Sequence, residues 1–129
     1  MMKSILLPLI IFLVLDGLWF NFLSGDSYSV AIQATTGREL NPIKFYSAGI
    51  VYLLMIIGLN YFVRPRVNTI EDGFKWGGLF GLILYGVFNF TNHAIFGGWN
   101  LQVSIKDSLW GMVACSLVMG LTMLIEQRI

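Results

Sequence analysis

Charge is the first thing this chain is short of. Only 12% of its 129 residues are Asp, Glu, Lys or Arg, and the formal net charge is +1. That balance leaves no basic footprint for nucleic acid and no strong pull toward an anionic surface. Cysteine is nearly absent too. Cys115 stands alone in an apolar run, which excludes an intrachain disulfide and a cysteine-built metal centre, and suits a packed thiol. Histidine occurs once, as His93. One histidine with two aspartates gives no specific ligand number or spacing, so no metal site is expected. Phosphate loops, nucleotide fingerprints and nucleophile–base signatures are missing as well, which weakens an enzymatic reading and leaves any cofactor unknown. No stretch is polar enough over sufficient length to form a soluble domain.

What is abundant is apolar. The chain is 57% hydrophobic with a mean hydropathy of +0.75. Those values place it among integral membrane proteins. At about 20 residues per span, its length holds roughly four helices. The expected fold is all-α, a polytopic membrane protein forming a compact four-transmembrane-helix bundle in one domain over 1–129. The spans are expected at about 4–23, 43–63, 73–96 and 104–126.

The first apolar run follows Lys3 but has no small-x-small cleavage site after it. Asp16-Gly17-Leu18-Trp19-Phe20 continues it instead, so a retained helix is expected rather than a signal peptide. Residues 24–42 form the longest polar connection, an outer loop with room for a short interfacial helix. Its Val30, Ile32 and Leu40 are too sparse to predict a core. Asn41-Pro42 reads as an N-cap followed by proline at the first helical position. Arg64-Pro65-Arg66 ends the second span, and Thr69-Ile70-Glu71-Asp72 has the capping-box pattern at the start of the third. Gly77 and Gly81 are spaced four apart and Gly86 follows. That stripe predicts close approach of a neighbouring helix, and Ser116 with Gly120 offers a second small-residue pair. Lys3, Arg64, Arg66, Lys75 and Arg128 fall on one side of the membrane; Arg38, Lys44 and Lys106 fall on the other. The excess predicts both termini inside.

That topology brings polar residues into one layer. The stretch Tyr85–Trp99 starts as membrane helix and then gathers Asn89, Thr91, Asn92 and His93. The first and third helices rise outward, so Asp16 and Asn89 both come to roughly 4–6 Å beyond the midplane at 1.5 Å per residue. The fourth descends, so Asp107 enters from the same outer end. Tyr85, Asn89, Asn92, His93 and Phe96 share one helical stripe. The string D-x-L-W occurs twice, at Asp16–Trp19 and Asp107–Trp110, on antiparallel helices.

A carboxylate deep in a membrane helix costs about 2.5–3.5 kcal/mol on insertion scales, so Asp16 should face the bundle, paired, protonated, or hydrogen-bonded to Asn89 or Asn92. Candidate acid–base residues are Asp16, Asp107 and His93. Candidate ligand-binding residues are Asp16, Trp19, Asn89, Asn92, His93 and Trp110. The alternative for Asn89, Thr91 and Asn92 is plain interhelical bonding. Asp107 has its own alternative, an acid at a helix start. Trp19, Trp76 and Trp99 suit interfacial belts. The inner half, with Ile10, Val14, Leu79 and Leu82 as its expected lining, reads as closed.

The order Leu-Asp-Gly-Leu-Trp at 15–19, the stretch 85–92 with Gly97-Gly98-Trp99, and Asp-Ser-Leu-Trp-Gly at 107–111 resembles a bacterial four-helix membrane family. This is the family catalogued as domain of unknown function 2177, DUF2177. The resemblance spans essentially the whole chain. Asp16, Trp19, Thr91, Asn92, Trp99, Asp107, Trp110 and Gly111 match residue by residue, while Asn89 stands where the family pattern has an acid. What the resemblance implies is the architecture and the importance of the cluster, without an activity. Three functions remain open from the sequence. One is a site that binds, or modifies, a lipid or other small apolar ligand. Another is a proton- or ion-conducting oligomer. The third is an accessory subunit of a larger membrane complex. Membrane lipids, a second copy or a membrane complex are the expected partners, and nucleic acid is not.

Overall fold

The computed structural model describes residues 2–38 and 44–128. Among them every regular element is helical. Helix α1 covers Met2–Leu18 and widens into a π turn over Trp19–Leu23; a short α2 follows at Ser27–Thr36. Helix α3 covers Phe45–Gly58, widens in the same way over Leu59–Val63, and closes in a 3-10 turn at Arg64–Arg66. Two long helices complete the chain, α4 at Ile70–Ile95 and α5 at Leu101–Arg128. The expected helix start at Asn41-Pro42 lies outside the described residues.

Among the described residues, three segments are long and apolar enough to cross a membrane: Ser4–Leu23, Phe45–Arg66 and Leu101–Arg128. The expected fourth, α4, is long enough at 26 residues but not apolar enough. Glu71, Asp72 and Lys75 crowd one end, Asn89, Thr91, Asn92 and His93 the other, and glycines between them add little hydropathy. Its beginning is built as expected. Thr69 Oγ1 accepts from the Asp72 N–H at 3.1 Å, and Asp72 Oδ2 accepts from the Thr69 N–H at 3.3 Å, a capping box that satisfies amides the helix itself leaves free.

Glycine sets how α4 and α5 meet. A Cβ on Gly77 would lie 2.5 Å from the Cys115 carbonyl oxygen, and one on Gly81 only 2.0 Å from that of Gly111. Gly111 in turn accommodates the Tyr85 ring, and Gly120 the Phe74 ring. Backbones can touch only where side chains are this small. Ser116 Oγ adds a bond to the Phe74 carbonyl at 2.8 Å. Gly86 takes no part, since nothing lies within 4 Å of its missing Cβ.

Around this pair the core is formed by Phe12, Met55, Ile56, Leu59, Val63, Ala114, Cys115, Val118 and Met119. It is apolar, and it is lined by residues other than those expected. Ile10, Val14, Leu79 and Leu82 are exposed. They lie on outward faces, where a hydrophobic index alone cannot separate lipid contact from core. The loop also differs from expectation. Ala31 of α2 packs with Trp99 and Val103, joined by Tyr28 and Ile32, into a second small core. Gly98 permits it, because a Cβ there would collide with the Ala34 backbone at 2.3 Å.

Candidate functional site

The two D-x-L-W segments meet face to face. Helices α1 and α5 place Trp19 flat against Trp110, ring centroids 4.6 Å apart and planes 4° from parallel. An aspartate sits on either side of this stack. Asp16, three residues before Trp19, accepts from Trp110 Nε1 at 3.1 Å and from the Tyr52 hydroxyl at 2.5 Å. Asp107, three residues before Trp110, accepts from the Tyr28 hydroxyl and from Asn89 Nδ2 at 2.6 Å. Trp19 Nε1 donates to the Tyr28 oxygen at 2.8 Å. Each aspartate is thus served by the other motif's tryptophan, directly at Asp16 and through Tyr28 at Asp107. Each also takes one tyrosine.

The surroundings exclude water from the carboxylates, with Asp16 8% and Asp107 5% exposed. Asn89 is fully buried and uses both ends of its amide. Nδ2 also donates to the Tyr85 carbonyl at 2.8 Å, and Oδ1 accepts from Trp99 Nε1 at 3.2 Å. Lys106 pins the α1–α2 corner, donating to the Ser24 carbonyl at 2.8 Å and Ser27 Oγ at 2.9 Å while its ammonium lies over the Trp19 ring. The π turn contributes here: the Ser24 N–H reaches back to the Trp19 carbonyl at 2.8 Å, one residue further than in an α-helix. Burial and the hydrogen bond to Asp107 hold the Tyr28 phenol above its ordinary range.

Of the expected site residues, Asp16, Trp19, Asn89, Asp107 and Trp110 are brought together. Asp16 does not bond to Asn89 or Asn92; Tyr52 and Trp110 take those places, and Asn89 serves Asp107 instead. Asn92 is half-buried and His93 exposed. His93 Nδ1 lies 2.8 Å from the Trp99 carbonyl, a bond that ties the α4–α5 turn rather than the carboxylates. Trp99 is not a belt residue. It is 6% exposed, beneath α2, with its indole N–H on Asn89. Tyr28 and Tyr52 were absent from the sequence reading, and Lys106 entered it only as a charge that orients the helices. Tyr52 had a legible signal, a hydroxyl in the first third of an apolar helix, at the level of Asp16.

Among the cavities, one reaches Asp16 through Tyr52. A groove of about 660 Å³ runs between α1 and α3, lined by Leu9, Leu13, Ala48, Gly49, Leu53 and Tyr52 among others. It is almost wholly apolar, and Tyr52 joins it to Asp16. Among the described residues no three His, Cys, Asp or Glu side chains are grouped to hold a metal ion.

The family model described as a predicted membrane protein, DUF2177, matches residues 1–124. The chain belongs to this family. No curated protein and no solved structure matches it. DUF2177 membership agrees with the apolar helices and a membrane location, and it leaves the role of the cluster to be argued from geometry.

Proposed function

We propose that this DUF2177 protein binds a membrane lipid, with an acyl chain lying in the α1–α3 groove against Tyr52. One observation carries the reading. The Tyr52 ring lines the groove while its hydroxyl donates to Asp16, so one side chain belongs both to an apolar channel open to the bilayer and to the buried carboxylates. Pockets that take small apolar ligands share this makeup, mostly hydrophobic walls with few fixed polar groups. In this reading α4 is the fourth span, the termini face the cytoplasm of a bacterial inner membrane, and α2 lies at the outer interface.

Mass spectrometry of the protein released intact from its own membrane tests this. Gly49 lines the groove and has nothing within 4 Å of its missing Cβ, so the side chain in Gly49→Trp starts in open space and places its indole at the channel. The wild type should retain lipid and the variant should lose most of it. Equal retention by the two would overturn the proposal.

A second reading has its own support. The four oxygens of Asp16 and Asp107 each already have a donor within the chain, as in a latch that fastens α1, α2, α3, α4 and α5 together. Under that reading the protein is a scaffold or accessory subunit. Gly49→Trp would then leave lipid retention unchanged, whereas an acyl chain lying against the Tyr52 ring requires retention to fall.

A further inference from the structure

The far end of the same groove holds polar groups that the aspartate network does not use. A second cavity, about 380 Å³, is lined by Ser4, Ile5, Leu53, Ile56, Asn60 and Arg64 among others. It shares Ile5, Leu53 and Ile56 with the groove, so the two adjoin along the α1–α3 seam. Arg64 is held in the 3-10 turn at the end of α3, where its Nη2 pairs with Glu126 of α5. Its Nη1 is buried without a hydrogen-bond partner, and so is Asn60 Oδ1, whose own Nδ2 is committed to the Ser4 carbonyl at 2.9 Å. The cleft therefore ends at two side chains that each hold one unused polar atom just beneath the surface, where a turn of the side chain brings it into reach of a ligand.

Buried polar groups are rarely left unpaired, and the two here differ in kind. A guanidinium N–H calls for an anionic oxygen, and its fork can hold Glu126 with one arm and a phosphate with the other. The amide oxygen calls for a hydroxyl or ammonium hydrogen. A glycerophospholipid head group carries both a phosphate and such a donor. Twelve residues separate Tyr52 from Arg64 on α3, roughly 18 Å of helix at 1.5 Å per residue, close to the depth of one leaflet in a core about 30 Å thick.

We infer that the cleft takes a phospholipid with its phosphate on Arg64 Nη1, a hydroxyl or ammonium of the head group on Asn60 Oδ1, and one acyl chain running up the seam to Tyr52. The inference rests on the proposed lipid reading for the acyl chain and adds the head-group class and the orientation. Arg64 then has two roles, helix fastener through Glu126 and phosphate donor through its other arm.

Two lipids with identical chains separate these claims: dioleoylphosphatidylglycerol and dioleoylglycerol, which lacks the phosphate. Each is added to delipidated protein in detergent, and bound lipid is counted by native mass spectrometry. The wild type should retain the phospholipid about tenfold better, the worth of one charge-assisted hydrogen bond. In Arg64→Gln/Glu126→Gln, which replaces the ion pair with a neutral hydrogen-bonding pair, the preference should fall to parity while dioleoylglycerol binding persists. Should that double variant fail to fold, Arg64→Lys keeps the charge near Glu126 without the fork, and its preference should fall several-fold. Equal retention of both lipids by the wild type overturns the head-group site and leaves the acyl-chain groove standing. A preference that survives the folded Arg64 variant also overturns it. Binding of neither lipid overturns the groove as well.

Discussion

Gly81→Ala adds one methyl group at the tightest point of the molecule. Its carbon would sit 2.0 Å from the Gly111 carbonyl oxygen and 2.8 Å from Cys115 Cβ. Ordinary contact begins near 3.5 Å, so α4 and α5 must part by roughly 1–1.5 Å. Overpacking of this kind costs about 1–3 kcal/mol. The same movement reaches the carboxylates, because Asn89 lies two turns further along α4 and Asp107 one turn before Gly111 on α5. Their bond, now 2.6 Å, would stretch past hydrogen-bonding range. Interhelical bonds in membrane proteins average about 0.6 kcal/mol, with larger values where one partner is charged, which brings the expected loss to about 2–4 kcal/mol. Gly86→Ala is the matched control on the same helix. With nothing within 4 Å it should fall within about 0.5 kcal/mol of wild type, on the stabilising side. Reversible unfolding in mixed micelles, titrated with a denaturing detergent and followed by tryptophan fluorescence, measures both. Two variants of equal stability would refute the close approach and the coupling drawn from it.

Other outcomes follow from the same geometry. Tyr28→Phe removes a donor from Asp107 and an acceptor from Trp19, and should release α2, read as faster amide exchange over residues 27–36 with little change in α5. Because the folded state keeps the Tyr28 proton at a pH where the unfolded chain loses it, wild-type stability should decline above about pH 10, and Tyr28→Phe should lack that part of the decline. Thermal unfolding of the two proteins across about pH 9–11 tests the sign. Tyr52→Phe should cost about 1–2 kcal/mol, since Asp16 loses one of two donors while the ring keeps its edge contact with Phe12. Trp99→Phe keeps the small α2 core filled but strips Asn89 of its indole partner, and should cost about 1 kcal/mol in the same unfolding assay.

The helices and the layer of Asp16, Asn89 and Asp107 were legible because depth in a membrane follows directly from position along a helix. Gly77 and Gly81 were legible as a contact because their spacing puts both on one face. Rotation and partner choice were not. Tyr28 and Tyr52 read as part of the aromatic background, and only the packed helices show which carboxylate each hydroxyl reaches. Trp99 looked interfacial because its cover, α2, lies in a loop whose docking depends on Gly98 and Ala34 meeting across 65 residues of chain. Ile10 and Val14 face outward because lipid and core favour the same side chains. The Asn89 amide donates to Asp107, a bond an ionised acid in that position could not make.

The central claim is that a lipid chain occupies the α1–α3 seam. Photocrosslinking in nanodiscs with a phospholipid carrying a mid-chain diazirine tests it most directly, with the labelled residues mapped by peptide sequencing. The account predicts labels concentrated on Leu9, Leu13, Ala48 and Leu53, which line the groove. It also predicts that Gly49→Trp displaces them. Labels spread evenly over other exposed apolar residues such as Val87, Phe88, Ile105 and Val113, and unchanged in Gly49→Trp, would contradict it.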